Sequence, residues 1–134
     1  MSKGRYVDFA ALQELYGEKV VEAIRRQMEE EAEAIVQDMK SRVPVRTGAL
    51  KNSIRWHWNK KKTAIEIVAD AANPKNGVKY GRYVEFSPRI NKPFFYPAMD
   101  ARRNGYKDRL MEAMKRAIEA NSKGGSHGSG SKNV

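Results

Sequence analysis

From Glu18 to Ser41 the apolar residues Val20, Ile24, Met28, Ala32, Ile35, Val36 and Met39 recur mostly at steps of three and four. That spacing lines one face of an α-helix and predicts a long helix with a single buried stripe. After Ile54 the period changes to two. Ile54, Trp56 and Trp58 alternate with Arg55, His57 and Asn59, and Thr63 to Ala69 repeats the alternation. Two strands result, with Asn59-Lys60-Lys61-Lys62 at the tip of a hairpin.

Between the two periods lies the stretch from Val43 to Ile54. Pro44 has no N–H to give a helix and pushes Val43 toward extended geometry, whereas Gly48 admits conformations that a Cβ resists. Thr47 offers a hydroxyl to cap a new turn over Ala49 to Asn52. Upstream, Asp8 is placed to cap a short helix from Phe9 to Tyr16 that Gly17 ends. Downstream, Asn73-Pro74 and Asn76-Gly77 mark a loop. Lys79 to Phe86 reads as a helical turn, with Tyr80 and Tyr83 one turn apart, passing into a third strand over Val84 and Phe86. Pro88, Ile90 and Pro93 form a stiff connector. Pro97 favours the first turn of a C-terminal helix reaching toward Asn121, which Asn104-Gly105 kinks or splits. The expected fold is α+β: a long N-terminal helix and a C-terminal helix packed on a small, mainly antiparallel sheet. Residues 1–121 form one domain in this reading, and residues 122–134 a flexible Gly/Ser-rich tail.

Charge changes the picture more than composition does. Residues 1–42 carry seven Lys/Arg against nine Asp/Glu, and residues 43–134 carry nineteen against seven. The whole excess of positive charge therefore follows the turn at Pro44. Such an excess suits a polyanionic neighbour, nucleic acid or an acidic protein surface, or else serves solubility. No apolar run approaches the length of a membrane span, and the N-terminus lacks the apolar core of a secretory signal. The absence of cysteine excludes disulfides, thiolate catalysis and cysteine-based zinc sites.

Candidate chemistry is sparse. Glu29, Glu30, Glu31 and Glu33 read as a solvated helix face rather than a metal site, since no histidine converges on them. Lys60, Lys61 and Lys62 could hold a phosphate backbone or simply keep the hairpin tip in water, and the sequence leaves both open. Trp56 and Trp58 are expected in the core rather than as a base-stacking platform around His57. Glu85 is expected to form an ion pair with Arg82, Arg89 or Lys92. Phe94, Phe95 and Tyr96 cannot all point inward from an extended segment, so one meets solvent or a partner, and Phe95 is the choice. No phosphate-binding loop, His-Glu-x-x-His or Gly-x-Ser-x-Gly motif occurs, and His57 is the only histidine outside the tail. No catalytic residue, cofactor or metal is expected.

Three short blocks carry a resemblance. They are Pro44-Val45-Arg46-Thr47-Gly48-Ala49-Leu50-Lys51-Asn52-Ser53-Ile54, then Tyr80-Gly81-Arg82-Tyr83-Val84-Glu85-Phe86, then Pro93-Phe94-Phe95-Tyr96-Pro97-Ala98. In this order they resemble the gene-product-ten-like tail-component family of long-tailed, siphovirus-type bacteriophages. Ser87-Pro88 departs from the Gly and Thr that usually follow Glu-Phe there. The resemblance implies a non-enzymatic virion protein of the neck, a tail-completion or head–tail joining subunit assembled in the host cytoplasm. It also implies a homo-oligomeric ring, hexameric, with neighbouring neck and tail proteins as partners, genome DNA passing through the lumen, and no membrane. Tyr83, Glu85, Phe94, Phe95 and Tyr96 are the expected interface, and Lys60, Lys61 and Lys62 the residues facing DNA. The alternative from another class is a free basic nucleic-acid-binding protein, suggested by the basic second half and the Trp-His-Trp strand.

Overall fold

The computed structural model describes residues 8–44 and 48–125. The expected cap at Thr47 and the end of the Gly/Ser tail, residues 126–134, lie outside them. The chain opens with α1 (Phe9–Tyr16), started by Asp8, whose Oδ1 accepts the Ala11 amide at 3.0 Å. Gly17, at φ +90°, ends α1 and leads into α2 (Glu18–Arg42). Val43 leaves α2 in extended geometry before Pro44, and Gly48, at φ +81°, begins the single turn α3 (Ala49–Ser53).

The strands follow at once. β1 (Ile54–Trp58) and β2 (Ile65–Ala69) pair antiparallel in a two-stranded sheet, with Ile54 opposite Ala69, Trp56 opposite Ile67 and Trp58 opposite Ile65. These three pairs share the face turned to α2, which is the expected inward face. The opposite face carries the Arg55–Asp70 pair, joined by two hydrogen bonds of 2.7 and 2.9 Å, and His57 on Glu66 at 2.8 Å.

The expected third strand is absent among the described residues. Only Ala72 and Lys79 form an isolated bridge, and α4 (Gly81–Phe86) takes the place of the strand. Its buried positions, Gly81, Val84 and Glu85, fall at i, i+3 and i+4, a helical pattern that the alternation of Val84 and Phe86 concealed. The C-terminal helix is split as Asn104-Gly105 suggested, into α5 (Phe95–Arg103) and α6 (Tyr106–Gly125), with Gly105 at φ +82°.

Two apolar clusters hold these elements together. One joins Ile35, Val36 and Met39 of α2 to Leu50, Ile54, Val84, Phe94, Phe95 and Ala98. The other joins Val20, Val21, Ile24 and Met28 to Phe9, Trp58, Leu110, Met114 and Ile118. α6 therefore runs antiparallel along the first half of α2, while α3, α4 and α5 cover its second half. The result is an α+β fold in which long helices flank a small antiparallel sheet.

Candidate functional site

Glu85 organises the region where two of the three sequence blocks meet. Gly81 lets α4 settle against β2, since a Cβ there would lie 2.9 Å from the Ala69 carbonyl oxygen. That close packing turns Glu85 inward, where it is 7% exposed. Its Oε1 accepts the amides of Phe94 and Phe95, each at 2.8 Å, and its Oε2 accepts the amide of Tyr96 at 3.0 Å. The first amides of a helix have no partner within it and carry partial positive charge, so a carboxylate there satisfies three donors at once. The expected ion pair is thus replaced by a helix cap supplied from nine to eleven residues away. Arg82, Arg89 and Lys92 are exposed and have no ion-pair partner among the described residues.

The aromatic run is sorted differently from the expectation. Phe94 is 1% exposed and Phe95 5%, both in the core of the chain itself with their rings edge to face at 6.2 Å. Helix geometry explains the correction. Because α5 begins at Phe95, successive side chains diverge by about 100° rather than alternating across a strand, so two neighbours can both point inward. Tyr96 is the outward member. It lies 6.0 Å from Phe86 between ring centroids, and Tyr83, one turn before Phe86 on α4, is exposed on the same side. Tyr83, Phe86 and Tyr96 thus form an exposed aromatic patch with Arg82, Arg89 and Lys92 close in the chain. Phe86 escaped notice because the end of α4, from Val84, was read as a strand.

A second feature was missed altogether. Glu31 is 1% exposed and is gripped by two arginines: Arg102 Nε at 2.9 Å and Arg109 Nη2 at 2.7 Å, with Gln27 adding a bond of 2.8 Å. Arg109 also donates to the Arg102 carbonyl at 2.7 Å and the Asn104 carbonyl at 3.1 Å, closing the end of α5. Burial pushes the Glu31 carboxyl up, but the hydrogen bonds from Arg109, Arg102 and Gln27 outweigh it and hold the group below the ordinary carboxylate range. Its place was legible: Glu31 stands three residues after Met28 and four before Ile35, on the apolar stripe itself. Its neighbours are engaged too, since Trp58 Nε1 donates to Glu29 at 2.7 Å and Trp56 Nε1 to Glu33 at 3.0 Å. Glu29 and Glu33 therefore anchor the sheet and Glu31 anchors α5 and α6, and of the four glutamates Glu30 alone is exposed without such a bond.

Lys60, Lys61 and Lys62 project from the hairpin tip, exposed and without ion-pair partners among the described residues. The tip is shaped by Asn59, whose Oδ1 accepts the amides of Thr63 at 2.8 Å and Ala64 at 3.2 Å. Lys62 turns the chain at φ +56°. The loop is held by backbone bonds, by Asn59 with the Thr63 hydroxyl and by Arg25 on the Lys62 carbonyl, so its geometry does not call on the lysine ammonium groups.

Among the described residues no group of three or more His, Asp or Glu is placed to hold a metal ion, and no helix is long and apolar enough to cross a membrane. No curated protein and no solved structure matches the chain. A family model does: that of "Bacteriophage HK97-gp10, putative tail-component", over residues 10–86. The matched stretch runs from α1 through Phe86 and contains the turn at Pro44 and Gly48, the hairpin and the Glu85 helix, so this chain belongs to the HK97-gp10-like family of phage tail components.

Proposed function

We propose that this protein is a ring-forming neck or tail-completion subunit that joins the head connector to the tail, with itself and neighbouring neck and tail proteins as partners. The exposed aromatic patch on a rigid frame carries this reading. Tyr83, Phe86 and Tyr96 are held outward by helices that Glu85 locks together, so little order is lost when a partner covers them. In a ring, complementary surfaces on repeated subunits close by heterologous contacts, and a hexamer is the stoichiometry the reading adopts. Lys60, Lys61 and Lys62 face genome DNA in the lumen, where sequence-independent electrostatics suits a polymer that must slide. Particles produced without this protein are expected to accumulate as separate heads and tails in negative-stain images. Normally joined virions would overturn the reading.

The second reading, a free basic nucleic-acid-binding protein, is favoured by the unpaired lysines at the hairpin tip. The Trp-His-Trp strand no longer supports it. Both indole N–H groups are committed to glutamates of α2, and the tryptophans lie on the inward face of the sheet. Sequence-selective binding to duplex DNA by the isolated protein would favour this second reading over the first.

A further inference from the structure

The aromatic patch has a counterpart elsewhere on the same molecule. At the end of α1, Leu15 is 72% and Tyr16 39% exposed, an apolar pair left open by the described residues. Close to this pair in the chain the charge is acidic: Glu14, Glu18 and Glu22 stand against Lys19, with Asp8 and Arg25 together at the far end of α1. None of these acids forms an ion pair among the described residues. Around the aromatic patch the sign is reversed. Residues 79–92 hold Lys79, Arg82, Arg89 and Lys92 against Glu85 alone, and Glu85 is buried on backbone amides.

The two patches lie at opposite ends of α2. Phe9 of α1 packs on Val20, Val21 and Ile24, whereas Val84 of α4 packs with Ile35, Val36 and Met39. From Val20 to Met39 the helix rises roughly 28 Å at its standard pitch. Surfaces this far apart cannot meet within one molecule, but they can meet between molecules. We propose that the basic aromatic patch of Tyr83, Phe86 and Tyr96 docks on the acidic Leu15–Tyr16 end of a second copy of this chain, head to tail. The proposal rests on the reading of the protein as a self-assembling subunit and names the two faces that would meet. Apolar groups supply the contact and the opposite charges fix its polarity, while like ends repel, which disfavours a dimer that pairs either patch with itself.

Charge reversal in two variants provides the test. Arg82→Glu/Arg89→Glu makes the aromatic end acidic, and Glu14→Lys/Glu18→Lys makes the α1 end basic; all four residues are exposed, so the fold is expected to persist by circular dichroism. Each variant alone is expected to lose self-association by at least about a hundredfold in sedimentation equilibrium, through like-charge juxtaposition. An equimolar mixture of the two should recover it, since each altered end then meets its complement. Bifunctional maleimide provides a second readout, because the chain has no native cysteine. Leu15→Cys/Phe86→Cys should give a ladder of cross-linked multimers at high protein concentration, and either single cysteine none. Cross-linked dimers from Phe86→Cys alone, a mixture that stays dissociated, or variants that associate as the wild type does would each overturn the proposal. A wild-type protein that does not associate at millimolar concentration would overturn it as well. The neck reading fails separately, if particles lacking the protein join heads to tails normally.

Discussion

The Oε1 atom of Glu85 accepts the amide of Phe95 at 2.8 Å and so fastens the end of α4 to the start of α5. Replacing the carboxylate strands amides that the core has sealed from water. Glu85→Ala is expected to destabilise the protein by about 3 kcal/mol or more, since each buried unsatisfied donor costs about 1–3 kcal/mol. Glu85→Gln keeps one acceptor but turns an NH₂ group toward an amide donor, so it should lose somewhat less. Urea unfolding monitored by circular dichroism checks both, and a Glu85→Ala variant as stable as the wild type would show that the cap contributes nothing.

Phe95→Ser should lower the melting temperature sharply. Emptying a buried phenylalanine site costs about 3–5 kcal/mol, and a hydroxyl without a partner adds to it. Tyr83→Ser, on the exposed face, should shift the melting temperature little. Scanning calorimetry on the two variants separates a core residue from a surface one, and the opposite order would return Phe95 to the interface.

Glu31 confers a pH dependence of predictable sign. Its carboxyl lies below the ordinary range in the folded protein, so its contribution is complete above the unfolded value, about 4.3, and is lost as pH falls through the folded value. Arg102 and Arg109 are about one-third exposed, which reduces the cost of Glu31→Gln at neutral pH to roughly 1–3 kcal/mol. The gap between wild type and Glu31→Gln, measured by urea unfolding, should close as the solution is acidified below pH about 4. A gap that persisted undiminished at strongly acid pH would show that the carboxylate charge is not its source.

If the hairpin tip faces DNA, the isolated protein should bind duplex DNA weakly, without sequence preference, and less well as salt rises. Substituting Lys60, Lys61 and Lys62 together with Gln should reduce the slope of log affinity against log salt by roughly 2–3, near one unit for each phosphate that a lysine no longer neutralises. Fluorescence anisotropy with labelled duplexes over a range of salt concentrations measures this directly. An unchanged slope would remove the tip from the DNA-facing surface.

Periodicity revealed most of the fold. The stripe of α2, the hairpin and its inward face, the Asp8 cap and the break at Gly105 were all local signals, each written within a few neighbouring residues. What it hid was long-range. The arginine partners of Glu31 stand 71 and 78 residues away, and the amides on Glu85 nine to eleven. A carboxylate on an apolar stripe signals that some partner exists without saying which. The run Phe94-Phe95-Tyr96 was misread for a related reason: the residue that starts α5 is set by Glu85, and only with that start known do the side-chain directions follow.

The stretch matched by the family model ends one residue after Glu85, yet the amides that this carboxylate caps belong to Phe94, Phe95 and Tyr96, beyond that end. Residues 10–86 alone would therefore be no folding unit. Met39 and Val36 would lose Phe94, Phe95 and Ala98, Ile24 and Met28 would lose Leu110 and Met114, and Glu31 would lose both arginines. In synthesis α2 precedes most of the residues that cover its apolar stripe, and its first half lacks Leu110, Met114 and Ile118 until α6 is made. A chain that stops before α6 exposes the apolar residues of the first half of α2, the kind of surface that makes an incomplete fold prone to aggregate.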